Sequence, residues 1–234
     1  MLEIRENIAR IREEMARAEA RAGRPAGEVT LLAATKMNDA ARVREAIAAG
    51  VDACGENRVQ ELTAKLEEDA YRGAPLHFIG HLQRNKAKFL VGRVDLIQSV
   101  DSEGLLTVLD RLAAERGVRQ DILAEINIGG EAAKSGVPPE QADEIAAKME
   151  EYPNLSLRGF MTIPPVEVEP GGNLRYFAKM YQLYVDIKAK KYDNNNIDCL
   201  SMGMSDDFAD AIKEGSTLIR VGTRIFGARQ YVKK

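Results

Sequence analysis

The sequence is poor in the side chains that most often bind metals or form disulfides. Its 234 residues include two cysteines, Cys54 and Cys199, and two histidines, His77 and His81. The cysteines lie far apart and form no Cys-x-x-Cys pair, which favours a reduced, intracellular protein. With so few candidate ligands, a metal site built from histidine and cysteine has little support.

The sequence also lacks an excess of one charge and any long apolar run. Lysine and arginine number 33 against 36 aspartates and glutamates, for a net charge of −3, so no overall basic field favours nucleic acid binding. No segment approaches the roughly 18 apolar residues of a membrane span, and the charged N-terminus does not resemble a signal peptide. By elimination, we expect a cytoplasmic protein that binds neither nucleic acid nor a membrane.

What the sequence does contain is a regular alternation of apolar runs and helical patterns. Ile4, Ile8, Ile11 and Met15 are spaced by four, three and four residues, which predicts an amphipathic N-terminal helix. The predicted strands after it are Thr30–Lys36, Val51–Gly55, His77–Gly80, Leu96–Val100, Asp121–Ile128, Leu157–Ile163, Cys199–Met204 and Leu218–Phe226. The predicted helices between them are Ala40–Ala49, Val59–Asp69, Arg84–Val91, Glu103–Arg116, Pro139–Glu150, Leu174–Lys190 and Asp206–Lys213.

Strands that alternate with helices predict a parallel sheet. Eight such steps predict a single (β/α)8 TIM barrel that spans residues 1–234 as one domain, with the first helix as an extra element. An open, doubly wound sheet is the alternative. Two segments, Pro164–Asn173 and Lys191–Asp198, are predicted to be mobile.

The first predicted strand reads TLLAATK and ends on a lysine. Side chains alternate along a strand, so Leu32, Ala34 and Lys36 share one face. If that face is the inner one, Lys36 projects into the mouth of the barrel, where active sites lie. Desolvation and nearby cations would lower its pKa there, and a neutral amine forms Schiff bases with carbonyls. Alternatively, the strand simply ends and Lys36 points into solvent.

Two glycine-containing segments follow the last two strands, where barrels often bind phosphate. In the first segment, SMGMSDDF, Ser201, Gly203 and Ser205 offer hydroxyl groups and an accessible backbone to an anion. Ser205 is alternatively an ordinary helix N-cap before Asp206. The second segment, LIRVGTRIFG, contributes Gly222 and Thr223.

Two further polar residues are candidates for ligand contacts. Arg220 is a charge within an apolar strand, so it forms either a structural ion pair or a ligand contact inside the barrel. Asn57, in the segment GENRVQE, either caps the next helix or hydrogen-bonds a ligand. His81 is predicted to be structural or to face solvent.

Taken together, these motifs resemble the pyridoxal phosphate homeostasis protein family, the YggS and PROSC type. The resemblance rests on ATK, GEN.VQE, HFIGHLQ.NK, INI..E..KSG, G.MTI and LSMGMSDDF..AI..GST..R.GT.IFG, and it covers nearly the whole chain. It implies a barrel like the N-terminal domain of alanine racemase. Arg58 and Leu76 depart from the residues that many relatives carry, but both flank motifs.

The resemblance also implies residue roles. Lys36 would form a Schiff base with pyridoxal 5′-phosphate (PLP), Arg220 would face the pyridine nitrogen, and Asn57 would lie near the ring. The phosphate would be held by Ser201, Gly203, Ser205, Gly222 and Thr223.

The expected function is that of a PLP carrier without a catalytic cycle of its own. Arginine offers only hydrogen-bond donors, so the ring nitrogen would stay unprotonated and the ring would be a weaker electron sink. Alanine racemases share this pairing but add a second domain that supplies a tyrosine acid/base, whereas this sequence ends at ARQYVKK. We therefore expect a monomer that serves PLP homeostasis, with apo PLP enzymes as candidate acceptors.

Two alternatives remain open at this point. One is a small PLP-dependent enzyme that resembles an amino-acid racemase. The other is a Schiff-base aldolase that acts on sugar phosphates through Lys36 and has no bound cofactor.

Overall fold

In the computed structural model, eight parallel strands close into a barrel in sequence order within the described residues, which are 2–167, 169–193 and 195–227. The circle closes where β8 pairs with β1, with Leu32 opposite Arg220. The strands are β1 (Thr30–Ala34), β2 (Ala53–Glu56), β3 (Leu76–Phe78), β4 (Leu96–Val100), β5 (Gln120–Ile126), β6 (Leu155–Thr162), β7 (Asn195–Ser201) and β8 (Leu218–Val221). The predicted TIM barrel is confirmed, and the open sheet is not formed.

Helices surround this barrel on the outside. They are α1 (Leu2–Arg21), α2 (Ala40–Ala48), α3 (Val59–Glu67), α4 (Glu103–Arg116), α5 (Ala142–Ala147), α6 (Leu174–Lys190), α7 (Phe208–Lys213) and α8 (Thr223–Phe226). The predicted extra helix is α1, and it buries Ile4, Ile8, Ile11 and Met15 as its spacing required. No helix of the described residues has both the length and the apolar character needed to cross a membrane.

The predicted end of the last strand is wrong. The apolar run Leu218–Phe226 predicted one strand, but β8 stops at Val221, and Thr223–Phe226 forms the short helix α8. This turn buries Ile225 and Phe226 together, and Asn7 of α1 donates a hydrogen bond to the Ile225 carbonyl at 3.1 Å. Packing against α1 therefore outweighs the strand propensity of the run.

Several other boundaries also differ from the predictions. The predicted helix Asp206–Lys213 begins at Phe208, because Asp207 uses its carboxylate to accept the N–H of Met204 at 2.7 Å. The predicted helices Arg84–Val91 and Pro139–Glu150 contain 3₁₀ turns. Part of the segment Lys191–Asp198 belongs to β7. Val168 and Asn194, within the two segments predicted to be mobile, lie outside the described residues, as do residues 228–234.

The barrel has a large outer core and a small inner one. The outer core fills the layer between strands and helices. Inside the barrel, one apolar cluster contains Leu32, Ala34, Ala53, Ile79 and Leu218, and a second contains Leu96, Leu123 and Met161. Polar side chains occupy much of the remaining interior, which is unusual for a fold whose centre is commonly filled by apolar layers.

A buried ion pair holds the end of β1. Glu56 Oε1 accepts hydrogen bonds from Lys65 Nζ at 2.5 Å, Thr35 Oγ1 at 2.7 Å and Tyr71 Oη at 3.1 Å. Lys65 Nζ also donates to the Thr35 carbonyl at 2.9 Å. The backbone of Thr35, which immediately precedes Lys36, is therefore fixed by side chains from β2 and α3.

Replacing Lys65 with methionine leaves the buried Glu56 carboxylate without its cation. We expect the free energy of unfolding to fall by about 3–5 kcal/mol, as measured by urea denaturation. The matched control is Lys190→Met, which removes the exposed partner of Asp143 and should cost about 0–1 kcal/mol. A loss for Lys65→Met that is no larger than the control's would show that the pair does not stabilise the end of β1.

Candidate functional site

A cavity of about 530 Å³ opens at the carboxyl ends of the strands. Six of the eight residues predicted for the site line it, namely Lys36, Asn57, Ser205, Arg220, Gly222 and Thr223. They come from the ends of β1, β2 and β8 and from the segment between β7 and α7. The barrel thus brings together side chains that are up to 187 positions apart in the sequence, counted from Lys36 to Thr223.

Lys36 lies on the wall of this cavity. β1 ends at Ala34 rather than at Lys36 as predicted, but Ala34 also lines the cavity, so the lysine continues the inner face. The next residue, Met37, has a positive φ of 62°, and its N–H donates to Glu61 Oε2 at 2.8 Å. With Thr35 held on the other side, the backbone that carries the amine is anchored at both of its neighbours.

Arg220 lies at the floor of the cavity with 5% of its surface exposed. Its Nη2 donates to the Thr162 carbonyl at 2.9 Å and its Nη1 to Ser201 Oγ at 2.5 Å. Burial lowers the pKa of Arg220 to about 10, which still leaves it charged at neutral pH. Both hydrogen-bond partners are neutral oxygens, so the predicted alternative of a structural ion pair is not formed within the described residues.

One wall of the cavity consists of small and hydroxyl-bearing residues. Gly222 lies directly before α8, and a Cβ at this position would lie 3.3 Å from both Cβ and O of Ala34. A side chain here would therefore crowd the end of β1. Ser205 and Thr223 contribute hydroxyl groups to the same wall, and the N–H groups of Thr223 and Arg224 precede the first bond of the α8 turn, from Ile225 to Gly222.

Two of the predicted site residues do not line the cavity. Ser201 is fully buried beneath it and contacts Arg220. Gly203 has a φ of +93°, and a Cβ here would lie 2.5 Å from the Cβ of Ala211 and 3.1 Å from the Cα of Phe208. Gly203 therefore allows α7 to pack closely, and its contact with a ligand stays a prediction. Ser205 is also not the N-cap of α7, which is Asp207.

Asn57 brings an unsatisfied acceptor to the cavity. Its Oδ1 is buried and has no hydrogen-bond partner among the described residues. A buried polar atom without a partner costs free energy, so a ligand with a donor at this point would bind favourably. Arg58, which follows it, is exposed, and Leu76 is buried at the start of β3; neither lines the cavity.

Arg42 also lines the cavity, and the sequence reasoning missed it. It lies in the first turn of α2, after the N-cap Asp39, and donates to the carbonyl of Phe226. Its Nε is buried without a partner in the described part of the chain. The available signal was a cation in the first turn of a helix, where the macrodipole disfavours positive charge unless another interaction compensates.

The two histidines lie outside the cavity wall and differ in environment. His81 is exposed, with Nδ1 3.2 Å from Asp101 Oδ2, in agreement with its predicted structural or solvent-facing role. His77 is buried, and its Nδ1 lies 2.9 Å from Gln98 Nε2. Burial lowers the pKa of His77 to about 4, against a smaller opposing effect of Asp95. The described residues contain no cluster of three or more potential metal ligands.

The lowered pKa of His77 makes stability depend on pH. Between about 4 and the usual value of about 6.5, the unfolded chain binds a proton that the folded protein does not, so stability falls as the pH falls through this range. From pH 7 to pH 5, the wild type should lose about 2 kcal/mol more stability than His77→Gln, as measured by urea denaturation. Equal losses in the two proteins would refute the assignment of a neutral, buried His77.

Comparison with known proteins agrees with this geometry. Residues 4–230 match the family model of the alanine racemase N-terminal domain. The chain is 41% identical over 226 residues to the pyridoxal phosphate homeostasis protein of Aquifex aeolicus, covering 97% of this chain and 98% of that protein. It is 40% identical to the protein of the same name from Escherichia coli, over the full length of both. The structure of PipY from Synechococcus elongatus with PLP bound superimposes with a TM-score of 0.80 at 33% identity, covering 96% of this chain and 100% of that one.

The fold and the cavity at its carboxyl-terminal mouth define a barrel of the alanine racemase N-terminal domain type. Within that class, the sequence identity of about 40% to these two homeostasis proteins, over nearly the full length of each, assigns the chain to their family. The chain belongs to the pyridoxal phosphate homeostasis protein family.

Proposed function

We propose that this protein binds PLP in the cavity, holds it as a Schiff base on Lys36, and serves intracellular vitamin B6 homeostasis without a catalytic cycle of its own. The observation that carries the proposal is the convergence of an amine, a buried guanidinium and a wall of glycine and hydroxyl groups in one cavity. The name of the relatives and the PLP-bound PipY structure support it.

The residues of the cavity fit the chemical groups of PLP. Ser205, Thr223 and the backbone beside Gly222 supply donors of the kind that bind phosphate, and Arg42 adds a cation to the same cavity. Arg220 supplies donors for the ring nitrogen. Asn57 Oδ1, which has no partner among the described residues, offers an acceptor that the ring hydroxyl group satisfies.

PLP supplies an aldehyde, which is the electrophile. Lys36 would hold PLP through its amine, which would condense with the aldehyde and release one water. The same water would reverse the condensation without any other reactant. This chemistry suits a carrier, because it retains a reactive aldehyde yet permits its release.

The other side chains of the cavity favour retention of PLP over a catalytic reaction that uses it. Because arginine only donates hydrogen bonds, Arg220 favours an unprotonated ring nitrogen and a weaker electron sink. Among the described residues, the lining of the cavity includes no tyrosine, histidine or cysteine, and its carboxylates are Asp39, which accepts the Arg42 N–H as the N-cap of α2, and Asp206. We propose that the protein acts as a single barrel domain and as a monomer in the cytoplasm, with apo PLP enzymes as acceptors and the segment Pro164–Asn173 as a gate for exchange.

Replacing Lys36 with alanine should abolish covalent retention of PLP. The purified wild type is expected to be yellow, and borohydride reduction followed by peptide mapping should place the label on Lys36. Lys36→Ala should lose the visible band, and so should Lys36→Arg, because a guanidinium keeps the charge but is not the required nucleophile. Lys88→Ala, at an exposed lysine, is the control that retains the band. A colourless wild type in which borohydride traps a sugar phosphate on Lys36 would instead identify an aldolase.

The absence of turnover is tested separately. The PLP-loaded protein is incubated with single enantiomers of several amino acids, and optical purity is followed over time by chiral chromatography. We expect no loss of optical purity beyond that caused by free PLP at the same concentration. Sustained racemisation that Lys36→Ala abolishes would support the racemase-like enzyme and overturn the carrier.

A further inference from the structure

A chain of hydrogen-bonded side chains crosses the interior of the barrel. It runs from Arg220 on β8 to Ser201 on β7, then to Gln98 on β4 and finally to His77 on β3. The successive distances are 2.5 Å from Arg220 Nη1 to Ser201 Oγ, 2.7 Å from Ser201 Oγ to Gln98 Oε1, and 2.9 Å from Gln98 Nε2 to His77 Nδ1. All four side chains are buried, with exposures between 0% and 8%.

Elementary hydrogen-bond chemistry gives this chain a single direction. A guanidinium can only donate, so Ser201 Oγ accepts from Arg220, and the one proton of its hydroxyl group is left for Gln98. Gln98 must therefore present its oxygen to Ser201 and its amide N–H to His77. His77 Nδ1 then accepts, and the ring carries its proton on Nε2. A permanent charge on β8 thus sets the tautomer of a histidine on β3.

The lowered pKa of His77 agrees with this direction. Burial lowers the pKa of its imidazole to about 4, so the ring is neutral at pH 7 and able to accept at Nδ1. The chain is also complete at each of its links. An unpaired polar group in a barrel interior is costly. If one of these hydrogen bonds is lost, we therefore expect the side chain that lost its partner to reorient toward another one.

We propose that Ser201, Gln98 and His77 are positioning residues for Arg220, which they hold so that the cavity selects a ligand with a hydrogen-bond acceptor at this point. The inference rests on the proposed function, in which that acceptor is the unprotonated ring nitrogen of PLP. Two N–H groups of Arg220 are engaged by Ser201 and the Thr162 carbonyl, and the residue still lines the cavity. In this proposal Ser201 supports Arg220, whereas the sequence predicted that Ser201 binds the phosphate.

The direction of the chain is tested on the protein without added ligand. Nitrogen-15 NMR of labelled histidine should show His77 at pH 7 as the neutral tautomer with the proton on Nε2. In Gln98→Glu the side chain has nearly the same shape, but it no longer donates, so His77 should take up a proton on Nδ1. A proton on Nδ1 in the wild type, or an unchanged His77 signal in Gln98→Glu, would refute the proposed direction of the hydrogen bonds from Arg220 to His77.

Selection of the acceptor is tested with PLP and with its 1-deaza analogue, in which a C–H group replaces the ring nitrogen. Dissociation constants are measured for both ligands in each variant. Because both carry the same aldehyde and phosphate, the change in their ratio between variants isolates the ring position. We expect Ser201→Ala to reduce the preference for PLP by about 10-fold or more, the loss typical of a hydrogen bond to a charged group.

Two controls separate positioning from a general loss of structure. Ser201→Thr keeps the hydroxyl group and should keep the preference. Ser99→Ala removes the buried serine that follows Gln98 in β4 and whose Oγ has no partner among the described residues, and it should also keep the preference. If Ser201→Ala weakens both ligands equally, Ser201 is only structural and the inference fails. If the wild type binds neither ligand, the proposed function fails, while the NMR result still decides the direction of the chain.

Discussion

The structure depends on the burial of one guanidinium that forms no direct ion pair with a carboxylate of the described residues, although Glu125 and Asp207 interact with it electrostatically at longer range. Arg220 lies inside a closed barrel, where removing a charge from water costs several kcal/mol unless hydrogen bonds and an opposite charge compensate. Here the described residues provide two neutral oxygens, from Thr162 and Ser201. Part of the binding capacity of the guanidinium therefore remains available at the cavity. A site of this kind is poised for a ligand that brings an acceptor, and more so for one that also brings negative charge.

Two further features of the barrel mouth hold the groups of the site in fixed positions. The ion pair of Glu56 and Lys65 fixes Thr35, so the amine of Lys36 leaves the end of β1 from an anchored backbone. Gly222 lets the ends of β1 and β8 approach within a distance that a Cβ would crowd. Rigid placement matters in a site that forms a covalent bond, because reacting groups held in position avoid much of the entropic cost of bringing them together.

The sequence predicted those parts of the site that depend on local periodicity. Alternation along a strand put Lys36 on one face with Leu32 and Ala34 and left open whether that face is the inner one, and the regular spacing of strands and helices predicted the closed barrel. Prediction from the sequence was less successful where packing between distant parts of the chain determines the local structure. The run Leu218–Phe226 predicted one strand, but its second half is a helical turn that buries Ile225 and Phe226 and accepts a hydrogen bond from Asn7 of α1. Gly203 lies in a segment predicted to bind phosphate, but the structure places it against α7 and outside the lining of the cavity.

The contacts across the barrel were beyond sequence reasoning for a more basic reason. Ser201 and Gln98 are 103 positions apart, and no local pattern states that β4 and β7 face each other through the interior. That relation follows only from closure of the sheet. His77 and Gln98 each read as ordinary strand residues, and they acquire a role only when the barrel places them in line with Arg220.

The polar interior also bears on why such a costly arrangement persists. Apolar side chains of similar size at positions 77, 98 and 201 would fill the barrel at no desolvation cost, and replacement of buried polar groups by well-packed apolar ones is often neutral or stabilising. Arg220 would then lose the support of Ser201 and sit beside apolar atoms. Stability alone therefore does not account for the chain of hydrogen bonds. The need to hold the guanidinium of Arg220 in one orientation does account for these hydrogen bonds, because apolar side chains would offer nothing that fixes this orientation.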